Sequence, residues 1–295
     1  MKISVLTPTY NREKLLKKLY ESLLKNANYG IQIEWLIMDD GSKDQTRTSI
    51  EKFKEENKIE IKYYYQENQG KMVAINKLVK QATGELMIEC DSDDYFTDNA
   101  FQIIKEEYEK NKEEKGIYAL CFLKYNTKGE NIGKKFNKTR TTMFDLYFRE
   151  GENGEKALVF ISKIRKEYEH KIENNEKFVT EARMYHKMDE KYQIICINKP
   201  IMICEYQKDG YTKNIQKEFK ENPHGYYEYF KEILEHDFSG INFKKRLYVI
   251  KHYILFSYLT KSKITLKNIK SLQNKIICCI LYVPGVIKTK NKFKL

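Results

Sequence analysis

Four short apolar runs set the strongest limit on what this chain folds into. Each closes in polar or acidic residues and precedes a stretch of helical character. Ile3 to Leu6 ends in Thr7-Pro8-Thr9, after which Leu15, Leu16, Leu19, Leu23 and Leu24 recur at helical spacing. Ile33 to Met38 ends in Asp39-Asp40-Gly41-Ser42, and Asp44 is a suitable cap for the next helix. Ile59 to Tyr65 alternates, breaks at Asn68-Gln69-Gly70-Lys71, and gives way to a helical stretch from Met72 to Val79. Leu86 to Cys90, apolar except for Glu89, stops at Asp91-Ser92-Asp93-Asp94. Strand and helix in repeated alternation predict an α/β fold whose twisted sheet is mostly parallel and flanked by helices.

Ligands of such sheets sit outside the carboxyl ends of the strands. Three Asp side chains within four residues repel one another unless they share a cation. Hard divalent cations take oxygen ligands, and Mg²⁺ commonly combines one or two carboxylates with substrate phosphate. The stretch therefore suits a metal–diphosphate clamp. Its plainer use is a helix start, with Asp94 or Asp98 as cap.

The remainder reads as an amphipathic helix from Asn99 to Lys110, a strand from Ile117 to Leu123, and a polar, mobile loop over 126–137. Lys156 to Ile161 is a further strand. Ile194 to Ile197 and Met202 to Tyr206 read as a late pair about Lys199-Pro200. From Tyr226 the chain turns to helices rich in Tyr, Phe and Lys.

Strand–Thr7-Pro8-Thr9-Tyr10-Asn11-Arg12, strand–Asp39-Asp40-Gly41-Ser42, Asn68-Gln69-Gly70 and strand–Asp91-Ser92-Asp93-Asp94 form an ordered set. The set resembles the family 2 glycosyltransferases, which are inverting and have a GT-A fold. The likeness is strong over the first hundred residues and reaches more weakly to about residue 215. It implies a GT-A catalytic domain over 1–215, with a nucleotide-sugar half of about 1–115 and an acceptor half of about 116–215. A helical extension over 216–295 follows. The donor expected is an NDP-sugar, most simply a UDP-sugar. Pro8 and Tyr10 would hold the base, and Asp40 would accept the uracil imide N–H that cytosine lacks. Asp39 is structural or near the ribose. Lys71 reaches the base or a phosphate, or simply starts a solvated helix. Asp91 and Ser92 face the ribose and sugar, Asp93 holds Mn²⁺ or Mg²⁺, and Asp94 stands behind.

Glycosyl transfer also needs a base for the acceptor proton. The family often carries it in a Glu-Asp pair well downstream. Here Phe178-Val179-Thr180-Glu181-Ala182-Arg183 matches with Ala182 in place of the second acid. Glu181 is the candidate, with Glu173 and Glu176 as alternatives. The run Glu205 to Thr212 resembles the segment that follows the last strand in bacterial members, and would close over diphosphate or acceptor or form a surface turn. The acceptor implied is a glycan or lipid-linked saccharide of the cell surface.

The formal charge of +12 suits phosphate-bearing partners. A sugar nucleotidyltransferase would carry a Gly-rich loop where Thr7-Pro8-Thr9-Tyr10 stands. A nucleic-acid-binding protein would want basic and aromatic residues on one face, which the Asp-rich strand ends oppose. The six Cys form no CxxC pair and read as buried thiols of a reducing compartment. The five His show no metal-ligand spacing, and His186 either packs or lines the acceptor side. No signal peptide or spanning run is legible, so a cytoplasmic protein, peripheral at the inner face of the membrane, is expected. Residues 261–295 hold nine Lys and no acid around the apolar run Ile276 to Ile287. That composition suits an anionic membrane surface or packing on the catalytic domain or a second subunit.

Overall fold

The computed structural model describes residues 1–207 and 214–293. Its first half runs β1 (Lys2–Thr9), α1 (Glu13–Asn26), β2 (Gln32–Asp39), α2 (Thr46–Glu55), β3 (Glu60–Tyr65), α3 (Lys71–Gln81), β4 (Leu86–Glu89), β5 (Asp94–Phe96) and α4 (Ala100–Asn111). Then come β6 (Ile117–Asn126), β7 (Arg140–Thr141), α5 (Met143–Phe148), β8 (Lys156–Ile161), α6 (Ser162–Arg165), α7 (Ala182–Asp189) and β9 (Gln193–Cys204). Four helices follow: α8 (Ile215–Glu221), α9 (Pro223–Leu234), α10 (Phe243–Leu259) and α11 (Leu272–Phe293). Of the expected closing segment, Lys208 to Thr212 lie outside the described residues, as does Lys294.

Across the sheet the order is β3-β2-β1-β4-β8-β6-β9-β5, with β7 on β9. β1 to β4 are parallel, as the strand–helix repeat predicts. The other half is mixed: β8 is antiparallel to both β4 and β6, and β6 is parallel to β9. A parallel neighbour needs a crossover that covers one face of the sheet. Between β6 and β8 the only described helix is the six-residue α5, so the chain returns alongside itself.

The late strand pair is one strand. β9 runs straight through Lys199-Pro200, and the register against β6 slips between Phe122 and Lys124. Pro200 has no N–H to give, so the chain absorbs it as a bulge, not a hairpin. The bulged Asn198 side chain pairs with both the N–H and C=O of Phe136. The polar stretch 126–137 is a loop tied to its strand, with Asn126 N–H donating to Glu130 O and Ile132 N–H to Lys124 O.

Alternation along the strands divides the core into two faces. Ile3, Val5, Trp35, Ile37, Leu86 and Ile88 meet α1, α2 and α4 through Leu19, Ile50 and Phe101. Leu6, Leu36, Met38 and Met87 meet α3 and α7 through Ile75, Leu78 and Met184. Both layers hold the strand ends in register, and those ends carry the site.

A third core joins α5 to the C-terminal helices through Phe144, Phe148, Phe230, Tyr253 and Phe256. His186 of α7 belongs to this joint. Its ring centroid lies 5.3 Å from Phe144, 5.7 Å from Tyr229 and 5.9 Å from His236. It therefore packs, and it is absent from the cleft described below. Burial pushes its imidazole down to about 3. Because the folded value lies below the unfolded one, the stability tied to neutral His186 is complete above about pH 6.5 and drains as pH falls toward 3. Between pH 7.5 and 5 the melting temperature of His186→Phe should fall less than that of the wild type, read by calorimetry. Parallel falls would show that His186 does not carry the acid sensitivity.

Candidate active site

A cleft of about 880 Å³ opens at the carboxyl ends of β1, β2 and β4. Pro8 in β1 and Tyr10 just after it, Asp40 just after β2, Lys71 at the start of α3, Asp91, Ser92 and Asp93 after β4, and Glu181 before α7 all line it. The eight residues singled out in the sequence thus share one cavity.

The two acids after β2 have separate surroundings. Asp39 accepts from Ser42 N–H at 2.8 Å and from the Tyr63 hydroxyl at 2.9 Å, so its carboxylate organises the turn. Asp40 accepts from Gln66 Nε2 at 2.7 Å and Gln69 N–H at 2.8 Å on Oδ1, and from Gly70 N–H at 2.9 Å on Oδ2. One lone pair of Oδ2 is left among these bonds. Asp40 therefore shapes the 68–70 turn from behind. Gly70 sits at φ +97°, and a Cβ there would lie 2.0 Å from Lys177 O. Only glycine allows this approach. It presses the 175–178 segment onto the turn, while Lys177 Nζ donates to Asn68 Oδ1 at 2.6 Å.

The three carboxylates after β4 do not share one partner. Asp91 pairs with Lys71 at 2.8 Å. Asp94 is nearly fully buried and pairs with Lys124 at 2.8 Å, which also reaches Glu155 at 3.5 Å. Among the described residues no cation stands within ion-pair distance of Asp93. Burial, then the charges of Asp91 and Asp94, push its carboxyl up to about 6. Asp93 is the member of the cluster that lacks a positive partner, and it fits a hard cation on that ground. Asp94, Glu155 and Cys204 also stand within 4.8 Å of one another. Lys124 already supplies that group's positive charge, and burial pushes the Cys204 thiol upward, toward its protonated form. The oxygen-rich end at Asp93 is the better match for Mn²⁺ or Mg²⁺.

Lys71 also pairs with Glu181 at 2.7 Å, joining the clamp to the downstream acid. Burial raises the Glu181 carboxyl, and the Lys71 ammonium outweighs it, so the net shift is downward. Glu173 accepts from Arg183 at 3.0 Å and does not line the cleft. Glu176 spends its oxygens on His224 N–H at 2.7 Å and Gly225 N–H at 2.7 Å, capping α9. Arg183 also reaches both oxygens of Glu232 at 2.8 and 2.9 Å. The C-terminal helices thereby fix the segment that presents Glu181.

Several residues in or behind the cleft had no legible motif. Glu89, the one charge in its strand, meets the fully buried Arg165 at 2.9 Å directly behind the clamp. Lys124 follows an apolar run, and an ammonium at a buried strand end was the available signal. Glu155 and the α8 residues Lys217, Glu218 and Glu221 also line the cleft, beside Tyr206 of the run that begins at Glu205. Their place depends on tertiary packing alone.

The profile described as Glycosyl transferase family 2 matches residues 4–161, more than half of the chain, including the ends of β1, β2 and β4. The chain belongs to glycosyl transferase family 2. It is 34% identical over 130 residues to the uncharacterized glycosyltransferase MG060 of Mycoplasma genitalium, across 42% of this chain and 44% of that protein. It is 37% identical over 95 residues to the poly(ribitol-phosphate) beta-N-acetylglucosaminyltransferase TarS of Staphylococcus aureus, across 32% of this chain and 17% of TarS. The chain thus spans less than half the length of these curated relatives. The crystal structure of TarS 1–349 in complex with UDP-GlcNAc superposes with TM-score 0.60 at 17% identity, covering 100% of this chain and 92% of that one. The mannosyltransferase PcManGT from Pyrobaculum calidifontis, in complex with GDP-Man and Mn²⁺, gives 0.56 at 15%, covering 98% and 83%. At these identities the likeness speaks for the fold, the GT-A arrangement of a family 2 enzyme.

Proposed function

We propose that this family 2 chain transfers a sugar from a UDP-sugar to an acceptor hydroxyl with inversion, residues 1–215 supplying the reacting groups and 216–295 forming a helical extension whose α8 adds to the cleft wall. The observation that carries the reading is the ion-paired line Asp91–Lys71–Glu181 beside an Asp93 that has no cation in ion-pair reach among the described residues. It brings a diphosphate clamp and a base candidate to one cavity. TarS, by its name and its UDP-GlcNAc complex, supports the donor class, and the acceptor proposed here is a cell-surface glycan or lipid-linked saccharide.

In this reading Pro8 and the half-exposed Tyr10 ring hold the base, and the remaining lone pair of Asp40 accepts the uracil imide N–H. Asp91 and Ser92 face the ribose and sugar. Asp93 would hold a divalent cation, Mn²⁺ or Mg²⁺, which when bound would supply neutralising charge for the leaving diphosphate. Glu181 takes the acceptor proton as the new C1–O bond forms and the C1–O bond to the diphosphate breaks. Lys71 is shared by Asp91 and Glu181, and the diphosphate competes for its ammonium. Its withdrawal toward phosphate leaves Glu181 more basic when donor is bound.

The nucleotide assignment is tested by calorimetry. UDP should bind more tightly than CDP to the wild type. Asp40→Asn should narrow that gap, because its amide can present N–H where the carboxylate presents only acceptors. Equal affinity for the two nucleotides in the wild type contradicts the imide contact.

A further inference from the structure

The last helix leaves one apolar face without a partner among the described residues. Its other side packs on α10, where a Cβ on Gly285 would lie 2.9 Å from Ile254 Cγ2, and Cys278 is buried in the same joint. Facing away are Leu272, Ile276, Ile280, Val283 and Ile287, exposed at 71, 53, 67, 63 and 54%. Steps of four, four, three and four residues return to the same side of a helix. The five side chains form one stripe roughly 22 Å long at 1.5 Å per residue. A continuous apolar stripe of this length on a surface marks something that covers it.

Charge decides what covers it. Lys275 and Lys288 each stand one residue from a stripe position, about 100° round the helix, and so flank it. Residues 261–295 contain nine lysines and no acid. A second copy docked symmetrically on the stripe would set two all-lysine segments side by side with no carboxylate of their own to pair them. No helix among the described residues is long and apolar enough to cross a membrane. We infer that α11 lies in the interfacial plane of an anionic lipid surface, its stripe among the acyl chains and its flanking lysines at the headgroups. The inference stands on this face alone and is independent of the reading of the cleft.

The test is co-sedimentation of the full chain with vesicles of pure phosphatidylcholine and of an equal mixture with phosphatidylglycerol, at low and high salt. The wild type should bind the mixed vesicles, release them as salt screens the lysines, and bind the neutral vesicles weakly. Ile280→Asp with Val283→Asp changes only exposed positions. It should weaken binding by about tenfold or more while leaving helicity and UDP affinity unchanged. Equal binding to both vesicle types, no binding, or unchanged binding of the double variant overturns the inference. So does a wild-type dimer in sedimentation equilibrium that the same substitutions dissolve, since a second copy then occupies the stripe.

Discussion

Asp93→Asn should remove nearly all sugar transfer and leave the fold in place. The clamp has three carboxylates and two lysines: Lys71 holds Asp91 and Lys124 holds Asp94. Asp93 is the acid left for a cation, and an amide there loses both a charge and a good hard-metal ligand. Charge stabilisation by such an ion is worth several kcal/mol, so transfer should fall on the order of 10²–10³-fold. Stability should move the other way, or not at all. Burial and the neighbouring acids raise the Asp93 carboxyl to about 6 in the metal-free fold. A folded value above the unfolded one favours the native state at low pH, and that advantage is lost as pH rises through about 6. At pH 8 in chelator, Asp93→Asn should therefore melt no lower than the wild type. A lower melting temperature with lost activity would instead mark Asp93 as structural, and full activity would remove the cation from this position.

Glu181→Gln should slow transfer by about 10²–10⁴-fold, the usual cost of losing a general base. Gln keeps the shape and cannot take the proton, so donor affinity should change little. Lys71 supplies a second readout. Its ammonium lowers the Glu181 carboxyl, so Lys71→Met should raise it and shift the acid limb of kcat/KM to higher pH. Near wild-type transfer by Glu181→Gln places the base elsewhere. Glu176 is then a poor substitute, because both its oxygens cap α9.

Much of this was legible because strand periodicity and strand ends are local. The runs at Ile3, Ile33, Ile59 and Leu86 each became a strand, and their polar closures met in one cleft. β9 was misread because Pro200 looks like a turn in sequence, whereas a bulge against β6 absorbs it without reversing the chain. The partner of Lys71 was hidden for another reason. Glu181 lies 110 residues downstream, and the contact of Gly70 with the 175–178 segment, together with the hold of the C-terminal helices on that segment, brings them together. Asp40 showed its charge but not its employment by the backbone of Gln69 and Gly70, which needs coordinates. The lysine-rich tail was visible as composition. Which side of α11 remains open was not, since that depends on α10.

The most direct measurement is release of nucleoside diphosphate from a panel of nucleotide sugars by the purified full chain, with Mn²⁺ and with excess chelator. The account predicts release from at least one UDP-sugar that stops in chelator and is nearly lost in Asp93→Asn. No release and no thermal stabilisation by any nucleotide sugar, or release indifferent to both chelator and Asp93→Asn, would contradict it.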